Sequence, residues 1–95
     1  MITTTRIDKL LVIRIKDNVI LNDDSLYDEV GNALKNADTR HIRIDLGDME
    51  LIDDHGVDML CRLIGKYTQR GYAIKLQNPR VYLLKLLVVK GLIDK

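Results

Sequence analysis

One cysteine, one proline, no tryptophan and no phenylalanine stand among the 95 residues of this chain. The lone cysteine, Cys61, excludes an internal disulfide framework and any cysteine-based zinc knuckle, and it points to a reducing compartment. Tyrosine is the only aromatic type, so stacking platforms for bases or sugars are scarce and the core has to be aliphatic. A formal net charge of +1 lacks the basic excess that releases counterions from nucleic acid, so no general nucleic-acid binding is expected. Long apolar runs are missing too. The longest, Val81 to Val89, is broken by Lys85 and falls far short of the ~20 residues that span a bilayer. The start, Met1-Ile2-Thr3-Thr4-Thr5, has neither the basic opening nor the apolar stretch of a secretion signal, and a cytoplasmic location is expected. With no repeat, low-complexity tract or Pro/Gly-rich linker, residues 1–95 are expected to form one domain.

What is present alternates between two periodicities. Lys9 to Lys16 is β-branched and partly alternating, which predicts a strand, with Thr3 to Ile7 as an edge strand before it. Asp17-Asn18 predicts a turn, and Val19 to Leu21 a further extended stretch. Ser25 followed by Asp28 resembles a capping box. Leu26, Val30, Ala33, Leu34 and Ala37 then fall on one helical face. Arg40 to Leu46 alternates polar and apolar, a strand with one buried face. Gly47 to Gly56 reads as an acidic loop into a second helix, whose apolar face carries Val57, Leu60, Cys61, Ile64 and Tyr67 and which Gly71 stops. Tyr72 to Leu76 predicts a strand. Asn78 and Pro79 open a third helix running to about Lys90, with Gly91 beyond its end. Short strand–helix crossovers imply parallel neighbours joined right-handedly. The expected architecture is therefore α/β, a four- or five-stranded mixed sheet with the helices packed mainly on one face. The third helix is apolar on more sides than a core face needs, which implies burial on two sides or a partner.

The conspicuous chemistry is an acidic cluster: Asp45, Asp48, Glu50, Asp53, Asp54 and Asp58, with His55 and Gly56 inside it. It reads in three ways. Asp53 or Asp54 can cap the second helix, worth ~1 kcal/mol. The carboxylates can hold a divalent metal, as in a small carboxylate enzyme, although the glycine and the terminal Glu are misplaced for a helix–loop–helix Ca²⁺ site. Finally, a helix N-terminus favours a phosphate or carboxylate and can serve as a regulatory surface. Elsewhere the sequence offers little. His41 opens a strand, Cys61 sits on an apolar face, and no P-loop, dinucleotide fingerprint or hydrolase elbow occurs. Neither a catalytic residue nor a cofactor is expected.

Ile42-Arg43-Ile44-Asp45-Leu46, then Met49, then Leu51-Ile52-Asp53-Asp54-His55-Gly56-Val57, resembles the central motif of STAS domains, the family of bacterial anti-sigma-factor antagonists. The resemblance continues through Tyr67-Thr68-Gln69-Arg70-Gly71, Ile74 to Leu76, Asn78-Pro79-Arg80-Val81, and the closing Leu86-Leu87 with Gly91-Leu92, and covers the chain from Leu10 onward. It implies a non-enzymatic interaction domain in a partner-switching pathway of transcription control. Asp53 matches the family's Asp and Gly56 its Gly. Asp54 takes the place of the phosphorylatable Ser, and His55 that of the second Ser/Thr. A carboxylate cannot accept the hydroxyl phosphorylation and stands instead as a fixed anion, −1 against the −1.5 to −2 of a phosphoserine. The second departure lies at Val19-Ile20-Leu21-Asn22-Asp23, where many members carry Gly-Glu-Leu-Asp.

The partner surface implied is Asp53, Asp54, His55, Gly56, Val57 and Asp58, with Asn22, Asp23, Asp24 and Ser25 alongside. Implied partners are an anti-sigma factor or serine protein kinase and a serine phosphatase. A second copy of the chain is a further candidate; nucleic acid and direct membrane insertion are not implied. The alternative is a STAS subunit serving a membrane transporter or a lipid-trafficking ATPase complex, with the apolar third helix docked on the ATPase.

Overall fold

The β-branched opening forms a hairpin. β1 (Ile2–Ile7) and β2 (Leu10–Ile15) run antiparallel, from the pair Ile2–Ile15 to the pair Ile7–Leu10. Asp8 and Lys9 make the two-residue connection, and Asp8 adopts φ +53°, a left-handed conformation that short polar side chains tolerate. The computed structural model describes residues 2–16, 25–49, 54–79, 84–85 and 88–89, without the side chains of Ser25, Leu26, Asp54 and His55. The expected turn at Asp17-Asn18 and the extended Val19 to Leu21 lie outside the described residues.

Helix α1 (Ser25–Lys35) follows, with Asp28 in its first turn and Lys35 in its last, each matched to the helix dipole. It leads to β3 (His41–Asp45). Helix α2 (Asp54–Gln69) then leads to β4 (Ala73–Gln77). Among the described residues the sheet has four strands in the order β1-β2-β3-β4, and β2, β3 and β4 are mutually parallel. Of the four or five strands expected, four are described, in a mixed sheet. α2 starts inside the stretch expected as loop, so Asp54, His55 and Gly56 belong to its first turn.

Ile13 and Ile15 of β2 and Ile42 and Ile44 of β3 point to one side of the sheet and are fully buried. Val30 and Leu34 of α1 pack there, one helical turn apart. From α2 come Val57, Met59, Leu60, Leu63, Ile64 and Tyr67, a stripe wider than the expected face because Met59 and Leu63 also turn inward. Cys61 packs half-buried against this core. Among the described residues Tyr67 is the one buried aromatic.

The end of α2 shows why Gly71 stands where it does. Gly71 has φ +93°; its N–H donates to the Thr68 carbonyl at 3.0 Å, and the Tyr72 N–H donates to the Tyr67 carbonyl at 3.1 Å. These are the two bonds of a Schellman cap, accompanied by the expected contact across it: the Tyr67 and Tyr72 rings meet edge to face, 5.2 Å apart. Arg40 closes the cluster. Its guanidinium donates to the Arg70 carbonyl at 3.0 Å and lies 5.7 Å from the Tyr72 ring.

One expectation needs correction at the other end of the strands. The sequence predicts Asn78 as a helix cap, but its φ of +57° is far from the extended backbone of an N-cap, and its carboxamide faces Asp45. Of the third helix, Leu84–Lys85 and Val88–Val89 are helical and the rest lies outside the described residues. Leu84 is 38% exposed and Val89 83%, so neither is covered by the described core.

Candidate functional site

The C-terminal ends of the parallel strands converge with the start of α2, and the anchor there is Asp45. It ends β3 in register with Arg14 of β2 and Gln77 of β4, so three side chains from adjacent strands share a row. Asp45 is 5% exposed. Its Oδ1 accepts the Gly47 N–H at 2.9 Å, a turn closed two residues on, and the Asn78 amide at 3.5 Å; its Oδ2 faces Gln77 at 3.4 Å and Arg14 at 3.4 Å. Burial pushes the Asp45 carboxyl up, but the Gly47 N–H, Gln77, Asn78 and the charge of Arg14 together outweigh it and hold the carboxyl below its usual value. Gly47 is glycine for space: a Cβ would sit 3.1 Å from Asp45 Oδ1 and 3.4 Å from the Asn78 Cβ.

The acidic cluster seen in the sequence therefore divides. Asp45 is a structural acceptor. Asp48 is half exposed and lies 3.8 Å from Arg14, which bridges the two carboxylates. Asp58 is exposed on α2, while Glu50 and Asp53 lie outside the described residues. No three His, Cys, Asp or Glu among the described residues are grouped as a metal would require, and the Asp45 oxygens already have donors.

Between Asp45 and α2, Leu46 and Met49 are fully buried, so the chain leaves β3 pinned by one apolar side chain on each side of Gly47-Asp48. α2 is likewise pinned from its first turn. Gly56 is buried and Val57 is 1% exposed. Asp54 is the helix's first residue, and Asp58, four positions on, is exposed on the side away from the buried Gly56 and Leu60. Like charges so spaced cost an isolated helix about 0.2–0.5 kcal/mol, partly offset at Asp54 by the positive end of the dipole.

The structure thus brings Asp54, His55, Gly56, Val57 and Asp58 onto one helix start. Ser25 opens α1, and Asn22, Asp23, Asp24 and Asp53 lie outside the described residues. Sequence reasoning missed Arg14, Gln77 and Asn78 as partners of Asp45. The available signal was an Asp at a strand end two residues before a Gly, the pattern of a side chain that accepts its own downstream N–H.

No helix among the described residues is long and apolar enough to cross a membrane. No curated protein matches the sequence. Solved structures do match the fold. A Thermotoga maritima protein assigned as an anti-sigma factor antagonist aligns over 96% of this chain and 79% of its own, at 16% identity and TM-score 0.79. The Bacillus cell fate determinant SpoIIAA in its phosphorylated form aligns over 97% and 85%, at 15% identity and TM-score 0.73. A Ser-to-Glu variant of Moorella thermoacetica RsbS aligns over 98% and 79%, at 17% identity and TM-score 0.72. These likenesses establish the fold that the strand order and the helix-covered face describe. The family model described as "Mlab, STAS domain" matches residues 5–94, nearly the whole chain, and with it the chain belongs to the STAS domain family.

Proposed function

We propose that this chain is a non-enzymatic interaction protein of the anti-sigma-factor antagonist type. It binds an anti-sigma factor or serine protein kinase through the first turn of α2, from Asp53 to Asp58, with Asn22 to Ser25 as its flank. The observation that carries the reading is the position of Asp54. It matches the family's phosphoacceptor serine in the motif and is the first residue of α2, where free N–H groups and the dipole favour negative charge. With a carboxylate there, a kinase acting on a hydroxyl has no acceptor at 54, and the surface carries a fixed −1. A serine phosphatase correspondingly has nothing to remove at that residue.

The test is calorimetric titration of the chain into the host's anti-sigma kinases. The parent is expected to bind one of them, and Asp54→Ser to bind it more tightly and become phosphorylated. Absence of binding by both proteins would overturn the reading. Equal or weaker binding by Asp54→Ser would remove the role given to the charge.

A second reading is favoured by one observation, the exposure of Leu84 and Val89 on the C-terminal helical stretch of a chain whose family model bears the description Mlab. There the chain is a STAS subunit of a transporter or lipid-trafficking ATPase complex, and that stretch docks on the ATPase. Co-purification with the ATPase, lost in Leu84→Asp/Val89→Asp while kinase binding is absent throughout, would select it.

A further inference from the structure

Both described helices that pack on the sheet, α1 and α2, lie on the face that carries Ile13 and Ile44. The strand registers define the opposite face in rows. Ile7, Leu10, His41 and Ala73 form one; Thr5, Val12, Arg43 and Lys75 form the next. No described element covers them. In these two rows hydroxyl and aliphatic side chains lie on β1 and β2, and cations and His41 on β3 and β4; the row beyond them, Thr3, Arg14, Asp45 and Gln77, belongs to the Asp45 network. Arg43 stands directly beside Lys75 in the parallel pair, both are exposed, and no carboxylate among the described residues pairs with either. Like charges set opposite each other on neighbouring strands destabilise a sheet, and nothing described in the fold offsets this pair.

Two shallow hollows mark the face. One, of about 130 Å³, is lined by Leu10, His41, Ile42, Arg43, Ala73 and Lys75. The short side chain of Ala73 leaves the space between the cations open. The other, of about 210 Å³, is lined by Thr3, Thr5, Ile7, Val12, Arg14 and Gln77. Ile7 is 57% exposed, and Lys9 in the adjoining turn adds another exposed cation.

We propose that this sheet face, which no described helix covers, is a docking surface for an anionic phospholipid bilayer. The Arg43–Lys75 hollow seats a headgroup phosphate, and Ile7 reaches into the boundary below the headgroups. Charge complementarity argues for the occupant, and so does shape. A peptide is held by a walled groove or along a strand edge, whereas here cations and aliphatics lie side by side on an open face, the arrangement that rests on a charged interface. The surface is separate from the start of α2, so a protein bound there leaves it available.

The experiment is co-sedimentation of the full chain with vesicles of phosphatidylcholine and phosphatidylglycerol at 7:3, against phosphatidylcholine alone. Binding is expected only with phosphatidylglycerol and should weaken as salt rises. Each cation near an anionic surface is worth about a fivefold factor, so Arg43→Gln/Lys75→Gln should lower partitioning about 30-fold. Ile7→Ser should lower it further. All three positions are solvent-facing strand sites, and unchanged thermal melting of each variant checks that the fold is intact. Equal binding to both vesicles, no binding to either, or a double variant that binds like the parent would overturn the proposal. Displacement of the chain from vesicles by millimolar inorganic phosphate would overturn it in favour of a free anion, and displacement by a poly-glutamate peptide in favour of an acidic protein segment.

Discussion

Replacing Asp45 tests the account of how the loop into α2 is held. In Asp45→Ala the Gly47 N–H loses its acceptor at 2.9 Å, the one contact of ideal length in the set. A hydrogen bond to a charged group is worth about 1.5–3 kcal/mol. The contacts to Gln77, Arg14 and Asn78, at 3.4, 3.4 and 3.5 Å, are long and add little singly. The expected loss is about 3 kcal/mol for Ala and about 1–2 kcal/mol for Asn, which keeps an acceptor for Gly47 but not the charge. At 4–8 °C per kcal/mol for a domain of this size, the Ala variant should melt roughly 12–24 °C lower. The pH dependence separates charge from packing. The folded Asp45 carboxyl titrates below its unfolded value, which lies near 3.9, so its contribution is intact above about pH 5 and is lost as pH falls through the folded value. Urea unfolding of parent and Asp45→Asn at pH 7, 5, 4 and 3 should therefore show a difference that shrinks toward acid. A parent no more stable than Asp45→Ala at pH 7, or a gap to Asp45→Asn undiminished at pH 3, would refute the reasoning.

Other outcomes follow from the same geometry. Gly47→Ala should destabilise the parent but cost measurably less in an Asp45→Ala background, because the Cβ meets Asp45 Oδ1 at 3.1 Å; a double-mutant cycle in urea measures the coupling. Gly71→Ala should lower stability by about 1–2 kcal/mol through its left-handed backbone, and a chemical melt of the variant shows whether it does. Tyr72→Phe, which removes a donor to the Leu34 carbonyl at 3.2 Å, should cost about 1 kcal/mol by the same assay. Leu63→Ala, at a site 2% exposed, should cost about 2–5 kcal/mol, read as a lowered urea midpoint with an unchanged slope.

The fold was legible because its signals are local and repeated. Ile42 and Ile44 alternate with Arg43, Val30 and Leu34 lie one turn apart, and Gly71 marks a stop that only a left-handed residue can make. The motif around Asp53 to Val57 carried the family. What the sequence hid was the sorting of the acidic cluster. Asp45 and Asp48 look alike in the chain, yet one is buried and the other half exposed. Their difference depends on Arg14 and Gln77, which stand beside Asp45 only once strands distant in sequence are in register. Asn78 misled for a related reason. Asn before Pro is a fair helix-start signal, but the same side chain also tolerates φ +57° and has a carboxylate within reach. Burial and register are properties of the assembled sheet, and no window along the chain contains them.

The strand order β1-β2-β3-β4 has a consequence for how the molecule comes into being. Spatial order equals chain order, so each strand docks on the one made just before it, and none must be threaded between two already in place. The β1–β2 hairpin, closed by two residues, can form in about 1–10 μs. Each later step adds one helix and one strand to the growing edge, which keeps contact order low for a parallel sheet. Growth in this order can keep pace with synthesis from the ribosome. It leaves β4, with Gln77 as the last partner of Asp45, as the final strand to join, so the start of α2 becomes fully braced only when the sheet is complete.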